Sequence, residues 1–322
     1  MSEPPAAGTV TTSTLRKAAA TVVVSAVLLA VCYLVAVRTG VGQRFENAVW
    51  LGAGQTAMQR PAQAVGALNL IGTWSGTAAV ALVFAIGLLR RQVVLAFAAV
   101  ALIGASIGTT EVLKSVLLRP NLVPGWGESA GNSFPSGHTT IAMAVMFALV
   151  LVAPYRLRGL IAFCAAAPAT EIGALTIVAR WHRPSDTLGA DLVVLCCAGL
   201  TLLALAAAGR VRPAEPRPPR NPTARGLLTF GPIALGTATA LCGAVLFAAL
   251  TYYHRVHFAP GYEISHYALY AGCLVALAGS GLVTLALLRL LGRLEFTALE
   301  TAPATGLEAA LEAAPESEPT RR

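Results

Sequence analysis

The stretch that decides the fold is residues 181–208, WHRPSDTLGADLVVLCCAGLTLLALAAA. From residue 186 onward it is almost wholly apolar, over at least the roughly 20 residues that a helix needs to cross a bilayer. Its first six residues hold one of the five histidines and one of the two aspartates in the 322-residue chain. The stretch therefore predicts a membrane helix that begins with rare titratable groups.

The composition extends this prediction to the whole chain. It is 56% hydrophobic and 12% charged, with a mean hydropathy of +0.69, which is typical of a polytopic membrane protein and not of a soluble domain. The net charge of +8 could indicate nucleic-acid binding. Because the basic residues fall between the apolar runs instead of forming one face, they indicate membrane topology, and no nucleic-acid partner is expected.

The apolar runs predict an all-α polytopic membrane bundle. Eight spans are predicted, at about 18–37, 70–89, 92–117, 137–153, 160–180, 186–208, 227–251 and 268–291. The first run lacks a clear cleavage site after it, so we interpret it as a retained helix.

The spans divide into a six-span unit, residues 18–208, and a two-span C-terminal addition, residues 227–292. A cytoplasmic Pro/Arg-rich linker at 209–226 separates them, a disordered lead covers 1–17, and a cytoplasmic tail covers 293–322. Most of the 23 basic residues fall on one side of the membrane in this arrangement. The positive-inside rule then predicts that both termini are cytoplasmic.

Counting spans brings polar residues from three segments to the opposite, extracytoplasmic face. Lys114 and Arg119 follow at the outer end of the third span. His138 opens the fourth span, and His182 precedes the sixth. Their meeting on one face follows from the span count alone.

This set of side chains suits a phosphate group. Lysine and arginine supply fixed cations and hydrogen-bond donors for an oxyanion. Ser136 and Gly137 lie at a predicted helix start, where backbone N–H groups and the helix dipole favour anions.

The two histidines could carry the chemistry. Asp186 lies four residues after His182, close enough to hold one imidazole nitrogen and leave the other as nucleophile or base. His138 could then act as general acid for the leaving oxygen. The pattern predicts phosphoryl transfer through a phosphohistidine, which requires no metal ion and no cofactor.

Three motifs resemble those of the type 2 phosphatidic acid phosphatase and vanadium haloperoxidase superfamily. They are K-x4-R-P at 114–120, SFPSGH at 133–138 and HRPSD at 182–186. The resemblance covers about 70–208 and implies a helical bundle, with six membrane spans in the lipid phosphatases. It implies His182 as nucleophile, His138 as acid and Asp186 as orienter. It also implies four phosphate-binding residues: Lys114, Arg119, Ser136 and Gly137.

The chain departs from the family pattern at two places. The usual first motif is K-x6-R-P, so Arg119 comes two positions early. The usual third motif has an arginine six residues before the histidine, where this chain has Thr176. Arg180 and Arg183 are the candidates for a substitute phosphate-binding cation.

The resemblance predicts a membrane phosphatase that hydrolyses a lipid phosphomonoester or diphosphate at the extracytoplasmic face. Polyprenyl diphosphate, phosphatidate and phosphatidylglycerophosphate are the candidate substrates. The alternative is a non-catalytic relative that binds phospholipid or a partner. A transporter is a third possibility, because Glu171 and Asp191 are carboxylates within predicted spans. A haloperoxidase is not expected, because those relatives are soluble.

Overall fold

The computed structural model describes residues 12–55, 59–70, 73–123, 131–214, 222–257, 263–292 and 294–296. In these residues it contains ten α-helices and one two-stranded sheet. The helices are α1 (Thr12–Cys32, continued by a π-helical turn Tyr33–Val37), α2 (Gly40–Gln55), α3 (Gln59–Asn69), α4 (Thr73–Leu89), α5 (Val93–Val116), α6 (Gly137–Val152), α7 (Arg158–Val178), α8 (Pro184–Ala207), α9 (Pro222–His257) and α10 (Glu263–Leu291). The strands are β1 (Val211–Pro213) and β2 (Leu294–Phe296), paired antiparallel.

A helix is present at each of the eight predicted spans, so the all-α polytopic bundle is confirmed. Six are long and apolar enough to cross a membrane: α1 with its π-helical turn, α5, α7, α8, and the apolar parts of α9 and α10. α4 reaches that length only together with α3, from which it is bent by 52°. α6 has 16 residues, so it is only about 24 Å long.

The structure adds elements that the hydropathy pattern did not predict. α2 and α3 fill the interval between the first two predicted spans. The described part of the predicted lead, residues 12–17, is the start of α1. β1 lies in the predicted linker, and β2 lies at the start of the predicted tail.

Proline and side-chain caps set the helix ends near the polar segments. Pro120 and Pro154 follow α5 and α6, and the residue before a proline disfavours helical backbone. Pro184 is the first residue of α8, where its missing N–H costs nothing. Ser136 precedes α6, and its Oγ accepts the Thr139 amide at 3.4 Å.

Helices α5, α6, α7 and α8 pack together around buried Met143, Met146 and Phe147 of α6 and Leu202 of α8. α5 and α7 end where α6 and α8 begin. This gives the bundle two ends. The site end holds the starts of α6 and α8, and the opposite end holds the α4–α5 and α6–α7 turns and the β1–β2 sheet.

The remaining helices surround this core. α1 packs on α8, α4 on α5, and α10 on α2, α7 and α8. Asp191 of α8 is fully buried at the α10 contact and accepts a 2.7 Å hydrogen bond from Ser280 Oγ. Glu171, which lies within the predicted span 160–180, is on the exposed surface of α7.

Candidate active site

A backbone contact joins the two helix starts that carry the histidines. The Ser136 amide donates to the Asp186 carbonyl oxygen at 2.9 Å. The ring of Phe134, fully buried, packs against Gly189 of α8, where a Cβ would approach the ring to 2.6 Å. The segment before α6 is therefore seated directly on the first turns of α8.

Asp186 is the centre of the hydrogen-bond network in this segment. It is fully buried and accepts from Ser133 Oγ at 2.6 Å, from Arg119 Nη2 at 2.7 Å and from the Arg183 amide at 2.9 Å. His182 Nδ1 lies 3.3 Å from Asp186 Oδ2. The contact at Nδ1 leaves Nε2 as the imidazole nitrogen outside this pair, which is the arrangement expected of an oriented nucleophile.

Arg119 is held between two buried carboxylates. Its Nη2 donates to Asp186, and its Nη1 donates to Glu46 Oε2 at 2.9 Å. The Arg119 side chain is only 4% exposed. This geometry does not support the predicted role of Arg119 as a phosphate ligand, because both terminal nitrogens are occupied by protein carboxylates.

Glu46 also binds the start of α8. Its Oε1 accepts the Ser185 amide at 3.2 Å, so it caps the helix that carries Asp186. Arg183 is 6% exposed and donates through Nη2 to Asn47 of α2 at 3.3 Å. Two cations and two carboxylates are thus buried together, and their formal charges balance.

The carboxylates keep Arg119 charged despite its burial. Burial alone would lower the pKa of Arg119, but Asp186 and Glu46 outweigh it and hold that pKa above its usual range. Burial raises the pKa of Glu46, Arg119 opposes that rise, and the Asp186 carboxylate adds to it. Arg119 is therefore the group that allows two carboxylates to share one buried site.

His138, Lys114 and the start of α6 form the more open side of the site. The His138 and Trp181 rings are 5.3 Å apart, and His138 is within electrostatic reach of His182 and Lys114. A Cβ placed on Gly137 would be 3.6 Å from Lys114 Nζ. The Lys114 ammonium group thus lies beside the start of α6, where the amides of Gly137 and His138 have no intrahelical acceptor.

Ser136 occupies its predicted position in a different role. It is fully buried, and its Oγ accepts from both the amide and the hydroxyl of Thr139. The hydroxyl is used as a helix cap. The backbone N–H groups that follow it remain as donors for an anion.

The two candidate substitute arginines face α2. The Arg180 guanidinium carbon lies 3.5 Å from the centre of the Trp50 ring, and the Trp50 indole N–H donates to the Arg180 carbonyl. Arg180 has a φ of 62°, which fixes the turn that leads into His182. Neither Arg180 nor the buried Arg183 supports the expected substitution for the missing arginine.

Thr176 contributes through its backbone where the family pattern has an arginine. Its carbonyl accepts the amides of Trp181 at 3.0 Å and His182 at 3.1 Å. Its buried hydroxyl donates to the Gly173 carbonyl at 2.7 Å, within α7. The end of α7 therefore fixes the backbone of His182.

Sequence reasoning missed Glu46, Asn47 and the pairing role of Ser133. Glu46 lies in an interval where no span is predicted, 73 residues before its partner Arg119. The Glu46 carboxylate belongs to no motif and is one of 15 acidic residues in the chain, so the sequence offered little reason to single it out. The middle of the loop between α5 and α6, residues 124–130, lies outside the described residues.

Comparison with known proteins finds a match for the part of the chain that carries His138, His182 and Asp186. The family model of the PAP2 superfamily matches residues 93–212, from α5 to β1. No curated protein and no solved structure matches the chain. Members of this superfamily are in general phosphatases or other phosphoester hydrolases. Residues 93–212 thus match the PAP2 superfamily, as the motifs predicted, and the apolar helices support a multi-pass membrane protein with a phosphatase-like part.

Proposed function

We propose that the protein hydrolyses a lipid phosphomonoester or diphosphate through a phosphohistidine at His182. The observation that carries this proposal is the contact of His182 Nδ1 with the buried Asp186, next to His138 and Lys114. A carboxylate on one imidazole nitrogen orients the ring and stabilises the cation that forms when the other nitrogen is phosphorylated.

In the first step, His182 Nε2 would attack phosphorus while the bond to the leaving oxygen breaks. His138 would give its proton to that oxygen, which leaves as an alcohol or as a lipid monophosphate. In the second step, water attacks phosphorus, the N–P bond breaks, and His138 takes the water proton. The products are the dephosphorylated lipid and inorganic phosphate, and both histidines return to their starting states.

Phosphate binding is assigned to Lys114 and the amides of Gly137 and His138. These groups lie together at the more open side of the site, where they could stabilise charge on the equatorial oxygens. Arg119 is assigned to positioning, because its terminal nitrogens hold Asp186 and Glu46. This assignment replaces the phosphate-binding role expected from the motif.

The position of the site at the ends of the apolar helices supports a lipid as the substrate. The site lies at one end of helices that are long and apolar enough to cross a bilayer, the level at which lipid headgroups lie. The opposite end receives most of the basic connections, so the positive-inside rule supports an extracytoplasmic site with both termini in the cytoplasm.

A substrate panel tests the proposal. Purified protein would be assayed for phosphate release from a polyprenyl diphosphate, phosphatidate and phosphatidylglycerophosphate, beside a His182→Asn variant. Release from at least one lipid by the wild type, and from none by the variant, supports the proposal. A folded wild type that binds these lipids but releases phosphate from none would favour the non-catalytic alternative. The observations that favour this alternative are the burial of Arg119 and the threonine at position 176, where the family pattern has an arginine.

Replacing Lys114 with alanine should separate chemistry from stability. Removing one donor to the transition-state oxygens is expected to lower kcat/KM by about 10²–10³-fold. The unfolding free energy should change by less than about 0.5 kcal/mol, because the only ion pair lost in the described structure is the partly exposed one with Glu111. Steady-state kinetics and thermal unfolding are the measurements.

Glu111→Gln is the matched control for this prediction. It breaks the same 2.9 Å ion pair and leaves the lysine in place. Activity within about threefold of wild type is expected, on the scale of an exposed ion pair. Equal losses in the Lys114 and Glu111 variants would show that the pair, and not the lysine, matters.

A further inference from the structure

A second concentration of arginines lies at the opposite end of the bundle from the candidate active site. It lines a cavity of about 320 Å³ between the α4–α5 turn, the α6–α7 turn and the β1–β2 sheet. α6 alone separates the two ends by about 24 Å. The cavity therefore cannot be a subsite of the site that contains His182.

The charge of its lining is strongly one-sided. Among the described residues, four arginines and one carboxylate, Glu295, line the cavity. The arginines are Arg90, Arg156, Arg158 and Arg212. A surplus of three positive charges in one cavity raises the local concentration of anions and favours a multiply charged one over a single carboxylate.

Arg158 is a fixed cation in the wall of this cavity. It is 5% exposed, and its Nη1 donates to the carbonyls of Leu291 at 3.0 Å and Leu294 at 2.7 Å. Its guanidinium lies 4.9 Å from the centre of the Phe296 ring. Within the described part of the chain no carboxylate forms an ion pair with Arg158, so Glu295 offsets its positive field only partly.

Two buried polar atoms in the lining lack a hydrogen-bond partner within the described part of the chain. They are Arg158 Nε and Gln92 Oε1. The Gln92 side chain is held by its Nε2, which donates to the Phe296 carbonyl at 3.1 Å. Arg158 Nε is therefore a donor that the described structure leaves unused, whereas Gln92 Oε1 is an acceptor and suits water or a protonated oxygen.

The exposed donors of the lining come from two separate segments. Arg156 and Arg212 are exposed, one from the α6–α7 turn and one from β1. Together with the buried Arg158, these exposed guanidinium groups can donate hydrogen bonds to several oxygens of a phosphate, because arginine binds phosphate in a bidentate way. A cavity of this size can hold a headgroup, although not a whole lipid.

We propose that this cavity binds a phosphate group, either free in solution or in the headgroup of an anionic membrane lipid. The two sources share the same chemistry. A lipid source is sterically possible, because the cavity lies at the ends of membrane-crossing helices, where headgroups are found. The proposal is independent of catalysis at His182.

The test compares two charge-matched double variants of the full-length protein. Arg156→Gln with Arg212→Gln removes two exposed cations at the cavity. Arg16→Gln with Lys17→Gln removes two exposed cations from the first turns of α1, which reach the same end of the bundle. Both pairs are made in a Lys114→Ala chain, so that anion binding at the candidate active site contributes little.

Two probes distinguish the sources. Inorganic phosphate is titrated calorimetrically into the protein in neutral detergent at low ionic strength. In the second arm, protein from vesicles of phosphatidylcholine with a minor fraction of phosphatidylglycerol is analysed by native mass spectrometry for retained lipid. Phosphatidylglycerol carries no phosphomonoester, so the proposed reaction would not consume it.

Loss of two charge-assisted contacts should weaken phosphate binding by about tenfold in the cavity pair, with less than about twofold change in the α1 pair. That result supports the proposal with free phosphate as the ligand. Loss of retained phosphatidylglycerol in the cavity pair alone supports it with a lipid headgroup as the ligand. Unchanged binding in both arms, or equal losses in the two pairs, overturns it. Neither readout requires turnover, so a failed phosphatase assay would not decide the outcome.

Discussion

Replacing His182 with asparagine is expected to lower the rate of phosphate release by at least about 10⁴-fold, the scale seen when a covalent nucleophile is removed. Asparagine keeps a polar side chain of limited size next to Asp186 but has no nitrogen that can carry phosphate. The His182 side chain is 11% exposed, and in the described structure its polar contact is the 3.3 Å pair with Asp186, so the fold should persist. Phosphate release and thermal unfolding, measured on the same preparation, check both parts.

His266→Asn is the matched control. His266 lies near the start of α10 and is partly buried, and no role in phosphate chemistry is assigned to it. Its variant should retain activity within about threefold, as expected for a partly buried polar side chain that takes no part in the chemistry. Equal losses in the two histidine variants, or a His182 variant that still turns over at more than about a tenth of the wild-type rate, would contradict the nucleophile assignment.

The second large effect is expected at Arg119, and here the loss is of stability. Alanine at this position would leave Glu46 and Asp186 buried without their shared partner. Removing one member of a buried ion pair typically costs about 3–5 kcal/mol. Activity should fall as well, because the Asp186 carboxylate that holds His182 loses its strongest fixed contact. Denaturant or thermal unfolding in detergent measures the first effect.

Two comparisons make the Arg119 prediction specific. Arg38→Ala removes an exposed arginine after α1 and should cost less than about 0.5 kcal/mol. Glu46→Gln should cost less in the Arg119→Ala background than alone, because the neutral amide no longer needs the guanidinium. If Arg119 bound phosphate directly, its variant would lose activity but keep its stability, so the unfolding free energy is the measurement that separates the two roles.

The sequence predicted the architecture because its signals are local. Apolar runs of span length, broken by Pro154 and by the arginines around them, place the helix at each predicted span within six residues, whereas α2 and α3 have no such run. The same runs give the direction of each helix, and direction alone brings His138 and His182 to one end. The four-residue spacing of His182 and Asp186 was likewise readable, because it lies within one helix start.

The contacts that the sequence did not predict join distant segments. Whether Arg119 faces a phosphate or a carboxylate depends on Glu46. Glu46 lies on α2, a helix that no apolar run of span length predicts. Arg180 itself has a positive φ, and its guanidinium lies over the Trp50 ring, an arrangement that no motif encodes. The arginine-lined cavity is assembled from two turns and a strand pair, and the strands include residues predicted as linker and tail.

The most direct test of the central claim is to find the phosphate on His182. Wild-type protein would be mixed with a substrate from the panel, quenched in alkali during turnover because phosphohistidine is labile in acid, digested, and mapped by mass spectrometry. The mechanism predicts phosphate on the peptide that contains His182, and none on that peptide in the His182→Asn protein. Turnover without phosphohistidine, or phosphate on a different residue, would contradict it.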